Sequence, residues 1–126
     1  MKKSILVAVL TGSIAFAADA TIDSTMKLLH NGMTKINDGF VYNSKDMIKE
    51  GLSIVESSNS IFSTVDVKEF TKSNKVQVAK NISRNMTKHI ETLKKLVDEK
   101  RYTDATIQYG KVMNECINCH VLIRKW

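Results

Sequence analysis

Two cysteines and a histidine stand together near the end of this 126-residue chain, in the segment Cys116-Ile117-Asn118-Cys119-His120. On a helix, positions i, i+3 and i+4 share one face, so both thiols and the imidazole point in the same direction. This spacing is the C-x-x-C-H pattern of haem attachment. Each thiol can add across a porphyrin vinyl group to form a thioether, while the imidazole binds the iron from one side. The pattern therefore predicts one covalently bound haem c.

Other uses of this cysteine pair have less support. A disulfide between Cys116 and Cys119 would close a very small loop and would constrain the unfolded chain little. A structural zinc site needs four ligands, and no second Cys or His pair accompanies the motif. A redox-active or incidental C-x-x-C stays open as the alternative, although the adjacent His120 favours haem.

The position of the motif limits where a second iron ligand can come from. Only six residues follow His120, and none of them is Met or His. The second ligand must therefore come from an earlier part of the chain, or be absent.

Four stretches of the chain carry apolar residues spaced by threes and fours, the period of an amphipathic helix. We expect the second helix over about 45–62, weakened at its end by residues 57–60, and the third over about 74–100, with 63–73 as the longest connection. Thr103 or Asp104 is expected to cap the fourth helix. The predicted inward-facing residues are Ile22, Met26, Leu29, Met33, Ile36 and Phe40; Ile48, Leu52, Val55 and Phe62; Ala79, Ile82, Met86, Ile90, Leu93 and Val97; and Tyr102, Ala105, Tyr109, Val112, Cys116, Cys119 and Ile123. The pattern predicts an all-α, up-down-up-down antiparallel four-helix bundle with haem bound at one end.

The first twenty residues have the features of a secretory signal peptide. A basic head, Met1-Lys2-Lys3, precedes an apolar run that ends at Ala17, where small-x-small patterns for signal peptidase follow. The run is short for a bilayer-spanning helix, which needs about 20 residues, and a retained anchor is the alternative. We expect cleavage near positions 17–20, which removes the signal peptide 1–17 and leaves 18–126 as a periplasmic haem-binding bundle that does not span the membrane.

Composition bears on partners and on catalysis. The chain has 19 Lys and Arg against 13 Asp and Glu, a formal net charge of +6. The basic residues look scattered along the sequence and aromatic residues are few, whereas nucleic-acid binding uses a basic patch on one face. We therefore expect no nucleic-acid partner, although the lysines could steer an acidic redox partner protein. No catalytic motif spacing is present, so we expect no enzyme.

In an antiparallel bundle the start of the first helix lies beside the end of the fourth, which places Met26 at the same end as His120. Its alternative interpretation is core filling, the usual role of a Met on an apolar helix face. Met26 is therefore a candidate for the second iron ligand beside His120, and a five-coordinate iron stays open.

Other candidate ligands are placed less well. Met33 is seven residues beyond Met26, roughly 10 Å further at 1.5 Å per residue, and His89 falls some 20 Å from the iron end. Met47 begins the second helix at the opposite end, and Met113 lies on the motif's own helix. His30, one turn after Met26, is the main competitor, and its alternative role is that of an exposed surface histidine.

A C-terminal C-x-x-C-H on the last helix of a four-helix bundle resembles the class II cytochromes c, meaning cytochrome c prime and its low-spin, methionine-ligated relatives. The ending Cys119-His120-Val121-Leu122-Ile123-Arg124 is similar to the family's C-H-x-x-F-R, with Ile123 in the aromatic place. Thr25-Met26-Lys27-Leu28-Leu29 resembles the segment that faces the open side of the haem. The resemblance covers the helix order of 18–126, but only the C-terminal motif is specific. The chain departs from the family at Ile22, where members often carry an Arg.

The resemblance implies a ligand and a function. Low-spin members have a Met at the position of Met26, whereas gas-binding members usually have an apolar residue there. Arg124 is implied as a cation beside the proximal imidazole, and its alternative is an ordinary basic residue favoured by the helix dipole. Family members often form homodimers through outer helix faces, and this sequence leaves that open.

The leading prediction is a periplasmic monohaem c-type cytochrome that carries one electron with His/Met ligation. The alternative is a five-coordinate protein, similar to cytochrome c prime, that binds NO or CO. A third interpretation is an exported structural protein with an incidental C-x-x-C-H.

Overall fold

The computed structural model describes residues 13–64 and 75–123, which form four helices. Their bounds are Ser13–Val41 (α1), Lys45–Thr64 (α2), Val76–Asp98 (α3) and Tyr102–Ile123 (α4). Within the described ranges no residue is in a β-strand. The predicted all-α four-helix bundle is confirmed.

The turn between α1 and α2 is short, and its hydrogen bonds explain where α1 ends and α2 begins. Asn43 closes α1 in the left-handed region with φ 55°, which Asn tolerates, and the Ser44 amide donates to the Gly39 carbonyl at 2.8 Å. The Ser44 hydroxyl then accepts from the Met47 amide at 3.3 Å and caps α2.

The start of α4 differs from the expected cap. The Ala105 amide donates to the Arg101 carbonyl at 2.9 Å, so Arg101 is the capping residue and both Thr103 and Asp104 lie inside the first helical turn. Asp104 instead accepts from the Arg101 guanidinium at 2.8 Å. The prediction of a Thr103 or Asp104 cap is therefore wrong. Asp104 lies in the first turn of α4 and pairs with Arg101, the residue that precedes the helix.

The second helix also runs further than expected. Residues 57–60 were expected to weaken its end, but α2 continues to Thr64 and buries Ser58 and Asn59 to 2% and 4% exposure. A buried polar side chain needs a partner, and Asn59 finds one on α3. The expected weak point is thus part of a helix–helix contact.

The core lies along the facing stripes of the helices and agrees with the predicted apolar period. Met26, Phe40, Phe62, Tyr109 and Cys116 are partly buried at its edges. The fully or nearly buried core residues are Leu29, Met33, Ile36, Ile48, Leu52, Val55, Met86, Ile90, Leu93, Leu96, Val97, Ala105 and Val112.

Helix α1 packs extensively along α2, α2 along α3, and α3 along α4, whereas α1 and α4 contact each other far less. The interface between the first and last helices is therefore the most open one in the described part of the bundle.

Some predicted features lie outside the described residues. The proposed signal peptide is described only from residue 13, as the backbone of the first turns of α1, and most of the 63–73 connection and Arg124 are not described. In the part of the chain that is described, every helix is too short or too polar to be a candidate membrane span.

Helices α1 and α2 approach each other closely at Gly32 and Gly51. A methyl group on Gly51 would lie 2.6 Å from the Gly32 carbonyl oxygen and 2.8 Å from the Ile36 amide nitrogen, both backbone atoms that cannot rotate away. Gly110 on α4 has no atom within 4 Å of the same position. The two glycines thus form a matched pair for testing helix packing.

We predict that Gly51→Ala lowers the free energy of unfolding by about 1–3 kcal/mol, because α1 and α2 must separate to admit the methyl group. Gly110→Ala should raise it by about 0.5–1 kcal/mol, the gain in helix propensity at an exposed position. Urea denaturation followed by circular dichroism measures both. Equal effects of the two substitutions would contradict the close approach.

Candidate functional site

A cavity of about 210 Å³ lies between the helices at the end of the bundle where α4 finishes. All four helices contribute to its wall, and most of the lining side chains are apolar or contain sulfur. The residues that line it are Met26, Leu29, His30 and Met33 from α1; Asn59 and Phe62 from α2; Ala79, Ile82, Ser83 and Met86 from α3; and Met113, Cys116, Ile117, Cys119 and His120 from α4.

The C-x-x-C-H residues form one wall of this cavity. Cys116, Cys119 and His120 all line it, as expected for side chains at i, i+3 and i+4 of a helix. All three are half-buried, and Cys116 also packs against the core. The cysteines are not joined in a disulfide. The motif therefore presents two thiols and an imidazole to the same enclosed space.

Burial changes the chemistry of the first cysteine. The pKa of the Cys116 thiol is raised from 9.0 to about 11, chiefly because burial disfavours the thiolate and secondly because Cys119 lies close by. Cys116 thus stays protonated near neutral pH in the folded, haem-free chain.

Helix α1 forms the opposite wall. Met26, the expected sixth ligand, is half-buried and lines the same cavity as His120. His30 also lines it but is exposed, and Met33 lines it from a buried position at 5% exposure. Met113, which we placed on the motif's own helix, reaches the lining as well. The structure therefore brings the predicted pair together, along with three further ligand-type side chains.

His89 is held elsewhere, as expected. Gln108 Nε2 lies 2.8 Å from His89 Nδ1 and also donates to the His89 carbonyl at 3.3 Å. On the other side of the ring, Nε2 is 4.0 Å from a Glu115 carboxylate oxygen. His89 does not line the cavity, and its ring instead ties α3 to α4.

Sequence analysis did not predict a polar cluster that lies on the cavity wall. The buried Asn59 amide donates to the Ser83 carbonyl at 3.1 Å and to the Thr87 hydroxyl at 2.9 Å, and it accepts from the Ser83 hydroxyl at 3.2 Å. These bonds join α2 to α3 beside the cavity. Nothing in the local sequence marks Asn59 as special. Its role depends on partners that lie 24 and 28 positions further along the chain.

Tyr109 connects α4 to α1 below the cavity. Its hydroxyl donates to the Met33 carbonyl at 3.2 Å, and its ring meets Phe40 edge to face with centroids 6.1 Å apart. Burial raises the pKa of this phenol, with smaller contributions from Cys116 and Asp38. The hydroxyl therefore stays a hydrogen-bond donor across the neutral range.

In the described residues, no group of three or more His, Cys, Asp or Glu side chains is arranged to hold a bare metal ion. Haem supplies four ligands to its iron from the porphyrin, so it needs only one or two from the protein. No protein-family model, curated protein or solved structure matches this chain.

We predict that Cys116 is alkylated slowly in the folded, haem-free chain carrying Cys119→Ser. The thiolate is the reactive form, and a pKa near 11 leaves about one hundredth of the thiol ionised at pH 9. The rate with iodoacetamide should keep rising to about pH 11, whereas the same chain in urea should level off near its ordinary pKa of 9.0. Coinciding pH profiles for the folded and unfolded chains would contradict the burial argument.

Proposed function

We propose that the mature chain is an exported, monohaem c-type cytochrome that transfers single electrons in the periplasm. Cys116 and Cys119 would hold the haem through thioethers, and His120 and Met26 would bind its iron. The observation that carries the proposal is that these four side chains line one cavity, although Met26 on α1 precedes the three α4 residues by 90 or more positions in the sequence.

The side chains of the cavity wall have the apolar character that suits a macrocycle. Leu29, Phe62, Ile82 and Met86 supply apolar surface from three different helices, so a bound porphyrin would be enclosed on several sides. The sparse contact between α1 and α4 means that a flat ring between them would break few helix–helix contacts. Burying the ring there would add apolar contact area to a bundle of modest size.

The protein residues have distinct roles in this proposal. The two thioethers would fix the orientation of the haem, and the His120 imidazole would bind its iron. The Met26 thioether as a second protein ligand would favour a low-spin iron with a raised reduction potential. When bound, haem supplies a one-electron redox centre, and the surrounding apolar side chains limit water at the iron.

The resemblance to class II cytochromes c supports this function, since the motif stands on the last helix of a bundle of the same helix order. The basic and apolar leader at the N-terminus supports export. Gas binding at a five-coordinate iron is the second candidate, because the α1 wall is apolar apart from His30 and would exclude water around a small neutral ligand.

We predict that protein produced with a haem-attachment system carries covalent haem with sharp low-spin absorption bands. The oxidised form should show a weak far-red methionine-to-iron band, and carbon monoxide should leave the reduced spectrum unchanged because the sixth position is filled. Spectra of oxidised, reduced and carbon monoxide-treated protein test this. A broad high-spin spectrum that shifts with carbon monoxide would favour the gas-binding function, and absence of covalent haem would refute both.

Met26→Leu should remove the far-red band and allow carbon monoxide to bind the reduced iron, because Leu has a similar shape but no ligand atom. Met47→Leu is the matched control, since Met47 lies on α2 outside the cavity lining, and it should leave the spectrum unchanged. If Met26→Leu has no spectral effect, the sixth ligand is not Met26.

A further inference from the structure

Three basic residues stand at intervals of four near the start of α3: Lys80, Arg84 and Lys88. Four residues are slightly more than one helical turn, so these side chains share one face, and all three are exposed. Over 76–90, α3 carries no Asp or Glu. We call these three residues the α3 basic stripe. The expectation that the basic residues are scattered is wrong for this helix, because residues spaced by four in the sequence lie on the same face of a helix.

Within the described residues, none of the three stripe side chains forms an ion pair with an acidic residue. Arg84 donates only to the neutral Asn81 side chain at 3.4 Å. Elsewhere on the surface, ion pairs join Lys27 to Asp23, Lys49 to Asp98, Lys94 to Glu56 and Arg101 to Asp104. No ion pair among the described residues therefore neutralises the stripe.

The three like charges of the stripe destabilise α3. Like charges at i and i+4 repel, and the stripe contains two such pairs in succession. Helix stability therefore does not account for this spacing.

The stripe lies directly behind the candidate site. Residues on the inner face of the same helix segment, including Ile82 and Met86, line the cavity. A helix with its side chains is about 10–12 Å across, so a molecule bound to the stripe would be separated from the cavity by about this distance.

Exposed apolar residues accompany the charges at this end of the bundle. Val121 and Leu122, at the end of α4, are 51% and 48% exposed. The Lys75 ammonium donates to the Leu122 carbonyl and so joins the start of α3 to the end of α4. Transient protein interfaces combine exposed apolar and charged residues of these kinds.

We propose that the α3 basic stripe, with Val121 and Leu122, is the docking surface for an acidic electron-transfer protein. This inference rests on the proposed function and adds the location of the surface and the charge of the partner. The stripe attracts carboxylates on the partner and orients it with its redox centre toward the cavity end of the bundle.

The test uses the haem-loaded protein and ferricyanide, an anionic oxidant that stands in for the acidic partner. Stopped-flow absorbance gives the second-order rate constant for oxidation of the reduced protein at low and high ionic strength. Replacing the stripe by Lys80→Gln, Arg84→Gln and Lys88→Gln should lower the low-salt rate constant about threefold or more and remove most of its salt dependence. Poly-L-glutamate should inhibit the reaction of the wild-type protein and have little effect on this variant.

The matched control removes the same net charge at the opposite end of the bundle. Lys49→Gln, Lys95→Gln and Lys100→Gln together should lower the rate constant much less than the stripe variant does. Equal losses in the two triple variants would show that only net charge matters and would overturn the proposal.

Two further outcomes are distinguishable. Vesicles of phosphatidylglycerol and phosphatidylcholine that sediment the wild-type protein but not the stripe variant, without any poly-L-glutamate effect, would assign the surface to a membrane and overturn a protein partner. Covalent haem is measured first in every preparation by its absorbance. Its absence would refute the proposed function, whereas unchanged rates in haem-loaded stripe variant would overturn the docking surface alone.

Discussion

Helices α1 and α2 meet backbone to backbone where Gly32 faces Gly51, and this contact fixes how α1 is rotated in the bundle. A Cβ on Gly51 would lie 2.6 Å from the Gly32 carbonyl oxygen, so the helices cannot turn against each other without separating. At 100° per residue, Met26 and Met33 lie within about 20° of each other and about 100–120° round the helix from Gly32. The face that packs on α2 therefore leaves these methionines facing the cavity.

The remaining helix contacts are of unequal strength, and the site lies at the weakest of them. Asn59 joins α2 to α3 through hydrogen bonds with Ser83 and Thr87, and Gln108 joins α4 to α3 through His89. Between α1 and α4, only Tyr109 makes a comparable described connection. The α1–α2, α2–α3 and α3–α4 interfaces hold the bundle together. Separating α1 from α4 would therefore break few of the contacts that stabilise the fold.

The four helices and their buried faces could be predicted from the spacing of apolar residues, because residues spaced by threes and fours lie on one face of a helix. The turn at Asn43-Ser44 was also predictable, since those residue types favour a left-handed turn and a helix cap. The Arg101 cap and the burial of Asn59 were not, because both depend on partners that local sequence does not specify. Periodicity also gives the face of a residue but not its depth, which is why Met33 and Met113, both placed away from the iron by sequence, line the cavity as well.

The contacts of Tyr109 give the register between α1 and α4, and with it a choice among these side chains. Tyr109 bonds to the Met33 carbonyl and meets the Phe40 ring, so its level on α1 lies between these two residues. His120 is eleven residues further along α4, and α1 runs antiparallel, so the level of His120 falls between residues 22 and 29 of α1. Met26 lies inside this interval, His30 lies at its edge and Met33 lies beyond it. The register thus supports Met26 as the residue of α1 best placed to meet an iron bound by His120.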